Sequence, residues 1–469
     1  MTLDAQLPAR TEKDSLGDVE IPAGAYYGAQ TQRAVENFPI SGHPMPAPFV
    51  HALGLVKHAA AQVNEDLGRL DGTVADLVRQ AAREVADGKH DAQFPIDVFQ
   101  TGSGTSSNMN ANEVISNRAI EIAGGEVGSK APVHPNDHVN MGQSSNDVVP
   151  TAIRVSAARE IRDSLIPALD GLASALEKKA ESWKAICKIG RTHLMDATPL
   201  TLGQEFSGYA AQARKGIERC ERAIETLREL PLGGTAVGTG INGHPEFSRR
   251  VCELLESESG IAFAEADNHF EAQAANDACV EASGHLRTIA GSFAKIANDI
   301  RMLGSGPRCG IGEIRIPSLQ PGSSIMPGKV NPVMSEMLAQ AAIYVMGLDV
   351  TNTIAGRDGH FELLVTLPLM CHAIHEQVRV LANGARVFTA RCVEGLEADE
   401  ARCKELVEKS LMLVTALNPE IGYDNAAAVA KQAYAENKTL REVILERGLI
   451  EEARLDELLD PLSMTQPKS

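Results

Sequence analysis

Between Leu286 and Leu303 the apolar residues fall at Leu286, Ile289, Phe293, Ile296, Ile300 and Leu303, in alternating steps of three and four. That spacing draws one apolar stripe along a helix and predicts a long rod packed lengthwise against other helices. A second seam runs Ile161, Leu165, Leu169, Leu172 and Leu176, and Gln204 to Leu230 and Asn331 to Ile354 read as further long helices. Rods of this length overrun a small domain, and an antiparallel bundle is the simplest arrangement that buries their seams. Seams left facing outward call for partner subunits, so a homo-oligomer is expected.

Composition agrees with an all-α fold. Aromatic residues are 4% of the chain, with a single Trp at 183, and a core of Ala, Leu, Ile and Val suits close-packed helices better than sheets. The 469 residues predict about three domains. These are a mixed, mainly helical N-terminal domain (1–140), a central long-helix domain (141–396), and a small helical C-terminal domain (397–469), where the patterns shorten to Ala398–Val414, Asn425–Ala435 and Leu440–Arg447. The net charge of −18 repels phosphate backbones and anionic lipid, so neither a nucleic acid nor a membrane is expected as partner. A dianionic substrate would then need its own cluster of donors. No apolar run reads as a membrane span, Met1 to Asp18 does not read as a leader, and a cytoplasmic location is the expectation. The eight cysteines are scattered without a Cys-x-x-Cys pair and most sit in helical patterns, which predicts mostly buried free thiols, and no metal or cofactor is expected.

Between the rods lie five segments dense in Gly, Ser, Thr and Asn: Gln100–Asn112, Val133–Asp147, Gly190–Pro199, Gly233–Gly243 and Gly304–Pro332. Loops held on a rigid scaffold carry chemistry disproportionately. The last contains Pro321-Gly322-Ser323-Ser324-Ile325-Met326-Pro327-Gly328-Lys329-Val330-Asn331-Pro332. Its prolines and glycines shape a loop, its hydroxyls, Lys and Asn are donors for a carboxylate, and Pro332 stands where a helix can begin.

That string resembles the signature of the fumarase/aspartase superfamily, Gly-Ser-Ser-x-Met-Pro-x-Lys-x-Asn-Pro. Thr101–Asn110, Gln143–Asp147 and Gly190–Asp196 resemble its other substrate loops, and the likeness extends from Asp14 to Tyr423. Gly328, Met195 and Gly234–Gly240 followed by His244-Pro245-Glu246 resemble the class II, metal-independent fumarase branch rather than aspartase. The resemblance implies a helical homotetramer whose central helices merge into one bundle, with each active site shared between subunits. It implies reversible hydration of fumarate to L-malate, a small dicarboxylate pair. The rival readings are an aspartate ammonia-lyase of the same superfamily and a non-catalytic protein that keeps the fold.

Removing the C3 proton of malate gives a doubly charged aci-carboxylate, and fixed donors aimed at it are often the largest catalytic term, about 3 kcal/mol for one donor. The resemblance makes Ser323 the base and His193, oriented by Glu336, the group acting on the hydroxyl. It places Ser103, Gly104, Thr105, Ser144, Ser145, Asn146, Thr192, Ser324, Lys329, Val330 and Asn331 around the substrate. His134, Pro135, Asn136 and Asp137 resemble a second anion site, but Ala131 stands where an Arg is usual. Leu348 and Leu364 each replace an expected Asn in what reads as helical packing.

Overall fold

The computed structural model describes residues 9–467, so Met1 to Pro8 of the stretch read for a leader lie outside it. The chain opens with a hairpin, β1 (Ala9–Asp14) and β2 (Gly17–Pro22), followed by α1 (Ala29–Asn37), α2 (Ala47–Asp66), α3 (Gly72–Ala86), α4 (Thr105–Ile122), α5 (Ser145–Glu160) and α6 (Ile166–Ser182). A second hairpin, β3 (Cys187–Thr192) and β4 (Met195–Thr201), leads to α7 (Leu202–Thr226), α8 (Phe247–Ser259), α9 (His269–Ala274), α10 (Asp277–Leu303), α11 (Val333–Gly356) and α12 (Leu367–Arg391). Short helices at Glu400–Lys409, Tyr423–Glu436, Leu440–Glu446 and Glu452–Leu458 close the chain. The described strands form only small two-stranded sheets, so this is the expected helical fold.

Both predicted seams are buried throughout: Leu286, Ile289, Phe293, Ile296, Ile300 and Leu303 on α10, and Ile161 through Leu176 across the α5–α6 junction. The chain divides into two compact units whose boundaries fall inside the long helices. The first takes the chain to Pro167 with Glu218–Ala290 and Ile343–Ala382; the second comprises Ala168–Ile217, Gly291–Ala342 and the chain from Asn383.

In the first unit α2 packs on α3, α5 and α8. Phe49, Leu53, Val56 and Val63 of α2 are buried, and at Gly54 a Cβ would stand 2.5 Å from the Ala86 amide, so only Gly permits this approach to α3. Helix α3 starts where Asp71 accepts from the Thr73 and Val74 amides, and α5 starts at a capping box of Ser144 and Asp147; each pairing satisfies amides that the first helical turn leaves open.

In the second unit the C-terminal helices surround Ile189, Leu417, Val429, Val443, Ile444 and Leu455. Trp183 packs edge-on against Phe206 at 4.7 Å.

Two expectations need correction. Gly190–Pro199 is not a loop between rods: most of it pairs as β3 and β4, with Thr192 opposite Met195. And α11, with a mean hydropathy of 1.3 over its apolar window, is long and apolar enough to cross a membrane by length and composition. Its Asp349 takes hydrogen bonds from Ser283 and Arg287, and the fully buried Asn352 donates to Gln377, interior polar contacts that mark a helix packed against protein. Ile343, Tyr344, Val350 and Ile354 remain exposed on it.

Candidate active site

Three of the Gly/Ser/Asn-rich loops meet in the first unit. Gly104, left-handed at φ +74°, turns the chain into α4, and a Cβ there would press to 2.7 Å from Val149. Ser103 and Thr105 share a 2.7 Å hydroxyl hydrogen bond. One turn further, the Asn108 amide donates to Ser145 Oγ at 3.0 Å, which joins the first loop to the second. Asn146 donates to the Ala236 carbonyl at 2.8 Å, which joins the second to Gly233–Gly243.

Asp147 anchors this junction. Its fully buried carboxylate accepts from the amides of Ser144 (2.9 Å), Gly233 (3.0 Å) and Thr235 (2.9 Å). Burial pushes its pKa up, with the three amides opposing, while burial pushes the buried Lys57 ammonium down, opposed by the Asp147 charge. The hydroxyls above it have a defined sense. Ser144 Oγ accepts from the Asn146 amide and Ser145 Oγ accepts from Asn108, so each keeps its own proton to donate. Two serine donors beside the N-terminus of α5 make a surface suited to a carboxylate.

In the second unit Thr192 ends β3 and His193 sits at the hairpin tip. The two turn residues, His193 (φ 55°) and Leu194 (φ 63°), are both left-handed, the geometry of a type I′ turn that normally takes Asn-Gly. Leu in that region is a steric outlier. Outliers of this kind concentrate where function holds them. The hairpin is anchored below its tip by a buried ionic cluster. Arg191 grips Glu313 with both terminal nitrogens at 3.0 and 3.1 Å, and Lys188 lies 3.3 Å from Glu313 and 2.9 Å from Glu205.

The Ser323 loop closes on itself: the Gly322 amide donates to the Lys329 carbonyl at 2.7 Å, and Asn331 Nδ2 donates to the Gly322 carbonyl at 2.8 Å. A Cβ on Gly322 would stand 2.6 Å from that Lys329 oxygen. Inside the loop, Ser323 Oγ accepts from the amides of Ile325 (3.3 Å) and Met326 (3.1 Å). Two N–H dipoles converging on one hydroxyl oxygen favour its anion, and they leave the hydroxyl proton free. Ser324, Lys329 and Val330 are exposed. Glu336, also exposed, lies in the first turn of α11, its amide bonded to the Pro332 carbonyl. Within one chain no hydrogen bond among the described residues joins it to His193.

His134 caps a turn at Pro135–Val139: its Nδ1 accepts from the amides of Asn136 and Asp137 and lies 3.3 Å from the Asp137 carboxylate. His134, Pro135 and Asn136 line a cavity of about 390 Å³ together with Glu12, Lys13, Asp14 and Lys130. A cavity of about 1090 Å³, lined by Cys187, Lys404, Arg441 and Asp460 among others, contains none of the sequence-predicted site residues. Leu348 is buried on α11 as expected, but Leu364 is fully buried in a short strand (Leu363–Leu364) rather than in a helix.

Sequence reading missed Lys57, Asn108, Asn140, Asp147, Arg191 and Glu313 as site supports. Asp147 had a signal, the Ser-x-x-Asp box opening at Ser144; Lys57 had another, a lone charge in the run Leu55-Val56-Lys57-His58-Ala59-Ala60.

Long helices carrying shaped donor loops define the scaffold of a helical lyase, and a family described as Lyase matches residues 17–347. A second, described as Fumarase C C-terminus, matches residues 413–466. The chain is 54% identical over 457 residues to the class II fumarate hydratase of Nitrosomonas europaea, covering 97% of this chain and 99% of that one. It is 54% identical to the mitochondrial fumarate hydratase of Saccharomyces cerevisiae, covering 98% and 94%. The crystal structure of class II fumarase from Schistosoma mansoni superposes with a TM-score of 0.96 at 39% identity, covering 98% and 100%. The chain belongs to the class II fumarate hydratase family.

Proposed function

We propose that this chain interconverts fumarate and L-malate, with Ser323 as the base and without a metal ion. The observation that carries the reading is the Ser323 oxygen held by the Ile325 and Met326 amides. A serine is a poor base unless its alkoxide is stabilised, and these amides supply that stabilisation. The alkoxide takes the C3 proton of malate, and the C–H electron pair moves into the adjacent carboxylate to give the aci-carboxylate. As that charge returns to form the double bond, the C2–O bond breaks and His193 protonates the departing hydroxide, releasing water. Ser103, Thr105, Ser144, Ser145, Asn146, Thr192, Lys329 and Asn331 bind the two carboxylates, with Gly104, Ser324 and Val330 shaping the loops around them, and Glu336 orients His193 across a subunit boundary.

The reading includes a homotetramer with shared sites, supported by the exposed apolar residues Ile343, Tyr344, Val350 and Ile354 of α11. It keeps the three-part division at 140 and 396, supported at its end by the separate match over 413–466. The cytoplasmic location is supported by bacterial relatives such as that of Nitrosomonas europaea, although the yeast relative is mitochondrial.

The test is ultraviolet absorbance of the conjugated double bond after purified protein meets L-malate with a chelator present, and L-aspartate separately. A rise with malate alone supports the proposal. A rise with aspartate moves the substrate to the ammonia-lyase branch, and no rise with either refutes catalysis of this class.

A further inference from the structure

Lys57 lies in mid-α2, fully buried, with Leu55, Val56, Ala59 and Ala60 buried beside it. Burying an ammonium among apolar side chains is unfavourable unless a specific acceptor compensates. That acceptor is Asn140 Oδ1, 2.8 Å from Lys57 Nζ. Lys57 carries N–H donors whether charged or neutral, and together with the Gln143 carbonyl it sets which end of the Asn140 amide faces it.

The consequence propagates. Asn140 turns its oxygen toward Lys57, and its own NH2 donates to the Gln143 carbonyl at 3.2 Å. Asn108 must then turn its NH2 toward that same oxygen, at 3.2 Å, and the same NH2 reaches Ser145 Oγ at 3.0 Å. This leaves Asn108 Oδ1 buried without a hydrogen-bond partner. A flipped Asn108 would satisfy that oxygen by taking the Ser145 proton. The observed orientation is thus held against the local preference of Asn108, and the Lys57 donor and the Gln143 carbonyl hold it together through Asn140. Burial pulls the Lys57 pKa down to about 7, and the charge of Asp147 opposes that fall.

We propose that Lys57 is a positioning residue that, through Asn140 and Asn108, forces the Ser145 hydroxyl to donate toward a substrate carboxylate. The inference rests on the fumarate/malate reading above and assigns Lys57 no contact with substrate. Without Lys57, Asn140 keeps only its bond to the Gln143 carbonyl, the hold on Asn108 weakens, and Ser145 then spends its proton on Asn108 Oδ1.

The test is a double-mutant cycle of Lys57→Met and Ser145→Ala, read as KM for L-malate and as the dissociation constant of succinate, a dicarboxylate that does not react. Losing one hydrogen bond to a charged carboxylate raises either constant about tenfold. The relay predicts that each single variant shows that rise and that Lys57→Met adds less than about twofold in the Ser145→Ala background. Multiplying effects overturn the inference, because a merely structural lysine would act regardless of residue 145. Circular dichroism and size-exclusion chromatography check that the variants fold and assemble. If Lys57→Met does not, Asn108→Ala replaces it in the cycle, with the same coupled or multiplicative outcomes deciding. Should the wild type bind succinate but leave malate unconverted, the functional reading fails while the succinate cycle still judges the relay.

Discussion

Glu313 offers the sharpest quantitative test of how the His193 hairpin is held. Its carboxylate is fully buried and faces Arg191 through two hydrogen bonds and Lys188 at 3.3 Å, and the Lys188 side chain is only 2% exposed. Removing one member of a buried ionic group leaves its partners uncompensated, which destabilises by about 3–5 kcal/mol. In Glu313→Ala the loss should sit near the lower end. Lys188 keeps Glu205 at 2.9 Å, and Arg191 is 18% exposed and gains some water. The expected loss is therefore about 3 kcal/mol. Trp183, the single tryptophan, is buried a few residues before β3, so its fluorescence during a urea titration reports this unit; the midpoint should fall with the slope unchanged. Arg315→Ala is the control: the Arg315 side chain that pairs with Glu397 and Asp399 is itself exposed, and its effect should stay within about 0.5 kcal/mol. Because Arg191 directly precedes Thr192 and His193, Glu313→Ala should also lower kcat. A Glu313→Ala midpoint shift worth less than about 1 kcal/mol would refute the claim that this cluster anchors the hairpin.

Ser323→Ala should lower kcat for malate by about 10²- to 10⁴-fold, the usual worth of a positioned base, with the fold intact by circular dichroism; full activity would remove Ser323 from the mechanism. Burial lowers the pKa of His375 from 6.5 to about 4, so the folded state prefers the neutral ring and the unfolded state takes up the proton first. Its contribution is therefore complete above about 6.5 and is lost as pH falls toward about 4, a difference of about 3 kcal/mol. Urea titrations at pH 7 and pH 4 should show wild type losing that much more than His375→Gln, and equal losses would contradict the assignment. Leu194, 73% exposed at φ 63°, occupies a region that disfavours L side chains by about 1–2 kcal/mol. Leu194→Gly should raise the urea midpoint, and a lower midpoint would mean that the turn is not strained.

The long helices were legible because a heptad seam is a local pattern: steps of three and four along Leu286–Leu303 put every apolar residue on one stripe whatever lies elsewhere. The functional loops were legible for a similar reason, since their Gly, Ser and Asn density contrasts with the rods. The β3–β4 hairpin was hidden. His193-Leu194 carries none of the Asn-Gly chemistry that announces a type I′ turn, and Pro199 inside β4 reads as a loop residue. The apolar length of α11 was hidden too, because Glu336 and Asp349 interrupt the run in sequence while leaving the stretch between them uncharged.

What remained illegible has one physical character. Lys57 meets Asn140 across 83 residues, and Arg191 meets Glu313 across 122. Neither partner is implied by the local sequence of the other. Loops rich in small polar residues make few backbone ladders of their own, so something outside them must fix their geometry. In the first unit the Asp147 carboxylate does this by gathering amides from two loops, and in the second Glu313 does it by gathering cations from the hairpin. A buried charge is a costly anchor, but its demand for partners is directional and leaves the loop few alternative arrangements. Composition therefore announces where the donors for a dicarboxylate lie, while the charges that aim those donors become visible only when the fold brings distant residues together.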